Sequence, residues 1–236
     1  MRLQSDNRTL AMLCVLSGVG LASAQDAVVK YMSSGYPAYE TLLFRCVATV
    51  PVIMFMLWRA GRGWSIATPF LPRVLLRGVI LAGAYLCFVL SLAAMPIANA
   101  VAIYFTMPFF VAGLAGPLLG ERVRLHRWLA ITAGFMGVLI MVRPGAGVFE
   151  PAAIFALLSA LGYAVGQMLG RPLSQQVPPI IIAAWQNIVY ASVAAAVGLL
   201  FNTVDFGGFT HPSLVFLSRP WVWPGPFDAA LLLGHG

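Results

Sequence analysis

Charge is what this sequence has least of. Only 9% of its 236 residues are Asp, Glu, Lys or Arg, against about 25% in a soluble domain. A water-facing globular surface is therefore excluded. Acidic residues are the scarcest, seven against fourteen Lys and Arg. The resulting net charge of +7 does not indicate nucleic-acid binding. The basic residues fall in short loops between apolar runs, where they set membrane topology. Cysteine is nearly absent: Cys14, Cys46 and Cys87 each sit inside an apolar run without metal-ligand spacing, as small buried hydrophobes do. Catalytic signatures are missing too. There is no Ser/His/Asp constellation, no H-E-x-x-H, and no phosphate-binding loop through which ATP could drive the protein directly. The sequence implies no metal and no cofactor.

What is present is apolar sequence, 61% of the chain, with a mean hydropathy of +0.90. A helix of about 20 apolar residues crosses a bilayer, and seven such runs can be marked. They are Leu10–Val29, Ala38–Trp58, Pro72–Leu92, Pro96–Leu119, Leu125–Val142, Ala152–Gly170 and Ile180–Phe201. Arg73 and Arg77 place the membrane entry of the third near Gly78. The first run, with Ala22-Ser-Ala24, also has the outline of a cleaved secretory signal. A retained helix is favoured, because the apolar pattern continues past Ala24 and recurs later in the chain. A polar segment rich in Pro, Gly and Trp follows from Asn202 to Pro226. Its prolines argue against a surface helix, and Trp221 and Trp223 suit an interfacial belt. Asp228 to Gly236 reads as the opening of an eighth span.

Ten Lys and Arg residues fall on one set of span ends and four on the other. The richer set is cytoplasmic by the positive-inside rule, which puts the N-terminus inside a multi-pass inner-membrane protein. Shifting the chain by 142 residues lays Leu16-Ser17, Gly20, Ala22, Gln25 and Pro37 on identical residues at Leu158-Ser159, Gly162, Ala164, Gln167 and Pro179. The same shift lays Arg45 on Asn187. Each unit would hold five helices, and an odd number inverts the second unit. Such repeats place a substrate site near the midplane between the halves. The fold expected is an all-α polytopic bundle of inverted five-helix repeats. Residues 1–146 form the first unit and 147–236 an incomplete second, so the chain reads as C-terminally truncated.

The central stretch carries the most specific pattern. It runs Ala98-Asn99-Ala100, then Tyr104, Thr106 and Pro108 in mid-span, then Gly120-Glu121-Arg122 and Trp128. Gly134-x-x-Gly137-Val138 and Arg143-Pro144-Gly145 close it. Pro108 cannot donate to the Tyr104 carbonyl, and both a simple kink and a cavity-lining break fit that fact. In order and spacing these residues resemble the drug/metabolite transporter superfamily, in particular its EamA-type members. The resemblance implies ten helices and transport of small organic solutes: amino acids, nucleoside-like compounds such as S-adenosylmethionine, or drug-like molecules. It also implies an arginine on the second helix in a Phe-x-Arg-like setting, matched by Phe44-Arg45.

Ionisable residues inside a span are functional candidates by default. Asp26 and Lys30 are spaced i, i+4 for a helical ion pair. Glu40 is too far around its helix to meet Arg45, so Arg45 is expected to face a cavity and to pair with Asp26 or Glu40 across helices. A solvated outer cap is the other reading of Lys30 and Glu40. Gln25, Asn99, Tyr104, Tyr163, Gln167, Trp185 and Asn187 are the expected substrate-facing residues, with Tyr85, Thr106 and Gln186 nearby in the pattern. Any one of them can equally bond a neighbouring helix. Glycines repeat every fourth residue at Gly162, Gly166 and Gly170, and again at Gly116 and Gly120, as close helix packing requires. The expected partners are a small-molecule metabolite and the lipid bilayer, with no nucleic acid; the oligomeric state is left open. A secondary transporter accounts for the whole pattern. The alternatives are a non-transporting fragment or assembly partner, and a membrane-embedded enzyme using Glu121 and His126.

Overall fold

The computed structural model describes residues 8–61, 65–120, 124–142, 151–204, 208 and 210–234. Ten helices make up the described residues, with no strand among them: α1 (Arg8–Met32), α2 (Ala38–Arg59), α3 (Leu71–Ala94), α4 (Ile97–Tyr104), α5 (Met107–Leu119), α6 (Leu125–Val142), α7 (Pro151–Ser174), α8 (Pro179–Thr203), α9 (Pro212–Ser218) and α10 (Pro226–Gly234). Five segments are long and apolar enough to cross a membrane: α2, α3, Ile97–Gly116 across the α4–α5 break, α7 and α8. The chain is an all-α, multi-pass membrane protein. The 25 residues of α1 and 18 of α6 occupy the first and fifth expected spans.

Helix α3 is the axis of the bundle, with 56% of its membrane window buried. It packs against α7 and α8 most extensively, and also meets α1, α2, α4 and α9. Glycines set the α3–α7 crossing. A Cβ built on Gly162 would lie 2.8 Å from the Ala84 Cβ, and one on Gly166 would lie 2.5 Å from a Leu81 methyl. Only hydrogen fits at Gly162, because neither Ala84 nor the backbone behind it can swing aside. Gly120 plays another part. It adopts φ 68° as the left-handed cap of α5 and meets nothing within 4 Å, so it ends a helix rather than packing one.

The fourth span is interrupted at the expected place. Helix α4 stops at Tyr104, Phe105 and Thr106 turn, and Pro108 falls in the first turn of a new helix, α5. There the missing proline N–H has no intrahelical partner to lose. The Thr106 hydroxyl is left buried at the break without a hydrogen-bond partner.

Helix α3 begins at Leu71, seven residues before the entry expected at Gly78. Arg77, in the second turn of that helix, reaches into the bundle. Its Nε donates to the Gly166 carbonyl at 3.1 Å and its guanidinium to Gln186 Oε1 at 2.7 Å, tying α3 to α7 and α8.

The expected Asp26–Lys30 pair is not formed. The Lys30 ammonium donates instead to the Leu92 and Met95 carbonyls, the latter at 3.0 Å. These groups end α3, where carbonyls lack intrahelical donors and the helix dipole favours a cation. Helix-end carbonyls thus outcompete a carboxylate one turn away. Lys30→Met is expected to destabilise the bundle by about 2 kcal/mol, since a charged donor is lost from buried acceptors. A lowered unfolding midpoint in detergent is the check.

The segment after α8 folds back onto the bundle as an outer strap. It contains a helix, α9, despite its prolines, because Pro212 occupies the first turn and the His211 imidazole accepts the Ser213 N–H at 3.3 Å as a cap. Ser213 Oγ donates to the Leu90 carbonyl at 2.7 Å. Tyr39 Oη donates to the Arg219 carbonyl at 2.9 Å, and Arg219 in turn donates to the Ser33 carbonyl at 2.9 Å. The Trp221 ring packs on Tyr39 and Phe44, with centroids 6.4 and 6.2 Å apart. Trp223 alone remains widely exposed. Glu40 is fully buried under the strap and accepts the Val222 N–H at 3.2 Å. It is neither a solvated cap nor an ion-pair partner among the described residues. Helix α10 docks through Tyr36, whose hydroxyl donates to Asp228 Oδ2 at 2.6 Å. That bond holds the phenol proton and raises its pKa above the ordinary tyrosine value.

Candidate functional site

One polar cluster lies inside the bundle. Helix α2 brings Arg45 to its centre, where the guanidinium stands 4.7 Å from the Tyr85 ring centroid on α3. Tyr163 of α7 and Tyr190 of α8 are beside it. Tyr85 stacks on Tyr190 with centroids 5.8 Å apart, and Tyr163 meets Tyr104 of α4 edge-on at 5.5 Å. Phe88 packs against the far side of Tyr104 at 5.3 Å. Five helices thus converge on a cation boxed by aromatic rings, an arrangement stabilised by the ring quadrupoles.

Asp26 on α1 lies within electrostatic reach of Arg45, Tyr85 and Tyr104. No ion pair closes between Asp26 and Arg45 among the described residues. Gln25 and Arg45 both neighbour the Tyr85 hydroxyl, yet that buried oxygen has no hydrogen-bond partner of acceptable geometry. Such an orphan costs about 1–3 kcal/mol and marks a place where a ligand oxygen or a water would be accommodated.

Arg45 also lines a cavity of about 290 Å³ between α2 and α8, with Thr49, Gln186, Asn187 and Tyr190. Asn187 is held there by α2: its Oδ1 accepts from Thr49 Oγ1 at 2.8 Å and its Nδ2 donates to the Cys46 carbonyl at 3.1 Å. Replacing Asn187 with leucine is expected to cost about 1 kcal/mol of α2–α8 association, readable as a small drop in the detergent unfolding midpoint. A second cavity of about 380 Å³ adjoins the first and shares Ala183 and Gln186 with it. Arg77, Gln167 and Arg171 line this one. Gln186 forms the partition: it accepts from Arg77 on one side and donates to the Tyr190 hydroxyl, at 3.1 Å, on the other.

The residues singled out in the sequence separate into groups. Arg45, Gln25, Asp26, Tyr104 and Tyr163 gather in the cluster, Asn187 lines its cavity, and Gln167 lines the second cavity. Asn99 is half-buried on α4 without a side-chain hydrogen bond among the described residues. Trp185 does not face the cluster. Its Nε1 donates to the Ile66 carbonyl at 2.9 Å and its ring packs on the small satellite core that includes Val74 and Ile181, so it anchors the 65–70 connection. Lys30 and Glu40 also lie outside the cluster. His126 is exposed, whereas Glu121 and the Arg143-Pro144-Gly145 motif fall outside the described residues.

Two contributors escaped the sequence reading. Tyr190 follows Gln186 by four residues and Asn187 by three, the spacing of one helical face, and that spacing was the available signal. Arg77 was assigned to the membrane surface by its nearness to Arg73. Its position within Leu75-Leu76-Arg77-Gly78 was the hint that it could reach inward.

The helices and the polar-aromatic cluster among them define a multi-pass membrane protein with a cavity of about 290 Å³ beside a charged side chain. The chain belongs to the EamA-like transporter family, whose profile matches residues 9–143. Among curated relatives, it is 24% identical over 234 residues to the S-adenosylmethionine uptake transporter of Rickettsia conorii, covering 96% of this chain and 72% of that protein. It is 31% identical over 155 residues to the riboflavin transporter of Rhizobium johnstonii, covering 60% of this chain and 51% of that one. It is 31% identical over 154 residues to the pseudopaline exporter CntI of Pseudomonas aeruginosa PAO1, covering 64% and 53%. The chain thus spans between about half and three quarters of the length of these relatives. One crystal structure shares the fold at a TM-score of 0.55 and 20% identity, covering 93% of this chain and 79% of that one.

Proposed function

We propose that this protein is a secondary transporter that moves a small organic metabolite across the bacterial inner membrane by alternating access, with its N-terminus cytoplasmic. The observation that carries this reading is Arg45, boxed by tyrosines on a cavity wall and closed by no carboxylate among the described residues. A partly desolvated guanidinium in that setting keeps its fork of donors for an anionic group of a solute. The aromatic walls suit a flat ring on the same molecule. A carboxylate joined to an aromatic base, as in S-adenosylmethionine, combines both features, and riboflavin offers the flat ring. Asp26, within reach of Arg45, is the titratable group through which proton exchange and solute binding would compete. Two inverted units, residues 1–146 and 147–236, would rock about this site. The position of Arg45 and Asn187, 142 residues apart, on one cavity wall supports that arrangement.

The test is uptake of labelled S-adenosylmethionine and of labelled riboflavin into sealed proteoliposomes. Saturable accumulation of either, abolished by a pore-forming peptide, is the expected result. Flux equal to protein-free vesicles for both, with neither competing for uptake of a wider solute panel, overturns the reading. Chemical conversion of a solute in detergent, without a sealed compartment, would point to a membrane enzyme instead.

A further inference from the structure

The two polar cavities are stacked along one face of α8. Pro179, Ile182, Ala183 and Gln186 line the second, and Ala183, Gln186, Asn187 and Tyr190 line the first. Steps of three and four residues stay on one side of a helix, so this stripe runs about 16 Å at 1.5 Å per residue. The second cavity, of about 380 Å³, lies at the end of the bundle where α3 and α8 begin and α7 finishes. Arg77 stands in its wall, and no carboxylate among the described residues meets it. Of the three that are described, Asp26 lies near Arg45, Glu40 under the strap and Asp228 against Tyr36. The guanidinium is seated from α7. Its Nε donates to the Gly166 carbonyl, and a Cβ built on Gly170 would lie 2.9 Å from that same nitrogen. A guanidinium carries five N–H groups. One is spent on Gly166 and one on Gln186, a neutral amide, and the Nη2 pair bonds no described residue.

We propose that the Arg77 cavity is a second anion subsite, taking the carboxylate of a small organic acid in the place that the Gln186 amide holds on the guanidinium. As a stage on the solute's path to Arg45, it rests on the transport reading above. The chemistry favours the exchange. A carboxylate accepts two parallel N–H groups of the fork where the amide oxygen accepts one, and the new bonds are charged on both sides. Gln186 stays tethered through its bond to the Tyr190 hydroxyl at 3.1 Å. The rest of the wall suits the remainder of such a molecule: Pro179, Ile182 and Ala183 are apolar, and Gln167 adds an amide. Gln186 belongs to both cavities, so moving it off Arg77 alters the partition between them. Two guanidiniums then stand in successive chambers along α8, and an anion leaving one has the other as its next partner.

The experiment is protection of Ile182→Cys from N-ethylmaleimide in detergent, in a chain whose three native cysteines are replaced by alanine. Ile182 lines the second cavity and not the first. The probes are benzoate and benzamide, its neutral counterpart. For a subsite with a Kd of about 2 mM, benzoate at about 10 mM should slow labelling roughly sixfold, and benzamide less than about twofold. Arg77→Gln should remove the protection. Gln186→Glu should remove it as well, because it keeps Arg77 in its seat and supplies a carboxylate from within. That variant decides the matter if Arg77→Gln does not fold, an unchanged elution profile being the check. Equal slowing by the two probes, or none by benzoate, overturns the proposal. So does benzoate protection that persists in the folded variants, which would place the anion on another basic group. No sealed compartment is needed, so the two readings fail separately. Protection without flux in proteoliposomes leaves the anion site standing and removes the transporter, and flux without protection does the reverse.

Discussion

Arg45→Ala is expected to lower the initial rate of solute uptake by roughly 150-fold, while the protein remains folded in the membrane. Truncating one partner of a buried charged contact costs about 2–5 kcal/mol, and about 3 kcal/mol within that range corresponds to this factor. The loss should fall more on transport than on the fold, because Arg45 touches the other helices mainly through one residue, Tyr85 of α3. Its contacts are with the Tyr85 face and the cavity. Arg45→Lys should be intermediate: it restores the charge without the planar fork that lies over the ring. Uptake into proteoliposomes at equal protein incorporation is the measurement. A rate within twofold of the unaltered protein for Arg45→Ala would remove Arg45 from the solute site.

Gly162→Leu is expected to act on the opposite quantity, folding rather than transport. Even the first added carbon would sit 2.8 Å from the Ala84 Cβ and 3.6 Å from the Ile80 carbonyl oxygen. Both belong to the axial helix and neither can rotate away, so α3 and α7 must separate along their length. Overpacking of this kind costs up to about 3 kcal/mol. Close backbone approach is a main source of helix association in lipid, so little remains to compensate. Gly83 on the same helix meets nothing within 4 Å, and Gly83→Leu is the matched control. The expected outcome is a strongly reduced unfolding midpoint in detergent for Gly162→Leu only. Equal midpoints for the two variants would show that the stripe does not set the crossing.

These two residues also show what could be read in advance. Gly162 was visible because small residues at every fourth position have a single geometric use in a membrane helix. Arg45 was visible because a charge in the middle of an apolar run needs a reason. The all-α, multi-pass class followed from apolar run length for the same kind of reason. Lys30 and Glu40 were given the wrong partners and the inward contacts of Arg77 were not foreseen, and the three share a physical cause. Their partners are backbone groups or a side chain distant in the sequence: α3 carbonyls for Lys30, the Val222 N–H for Glu40, Gly166 and Gln186 for Arg77. Local spacing proposes partners among neighbouring side chains, and it cannot name a carbonyl some sixty positions away. Trp185 misled for a related reason. An indole suits a solute pocket and a loop anchor equally, and only the Ile66 carbonyl decides between them.

The outer strap has a consequence for how related sequences can diverge. Where Tyr39 and Glu40 grip it, they hold the Arg219 carbonyl and the Val222 N–H, which are main-chain groups that almost any residue supplies. The two helix residues that grip, in contrast, must keep a hydroxyl and a carboxyl at fixed positions. Substitutions in homologues should therefore accumulate more freely at position 222 than at 219, whose arginine also holds the Ser33 carbonyl, while Tyr39 and Glu40 stay unaltered. At position 222 the strap can change its side chain without loosening its hold on the bundle.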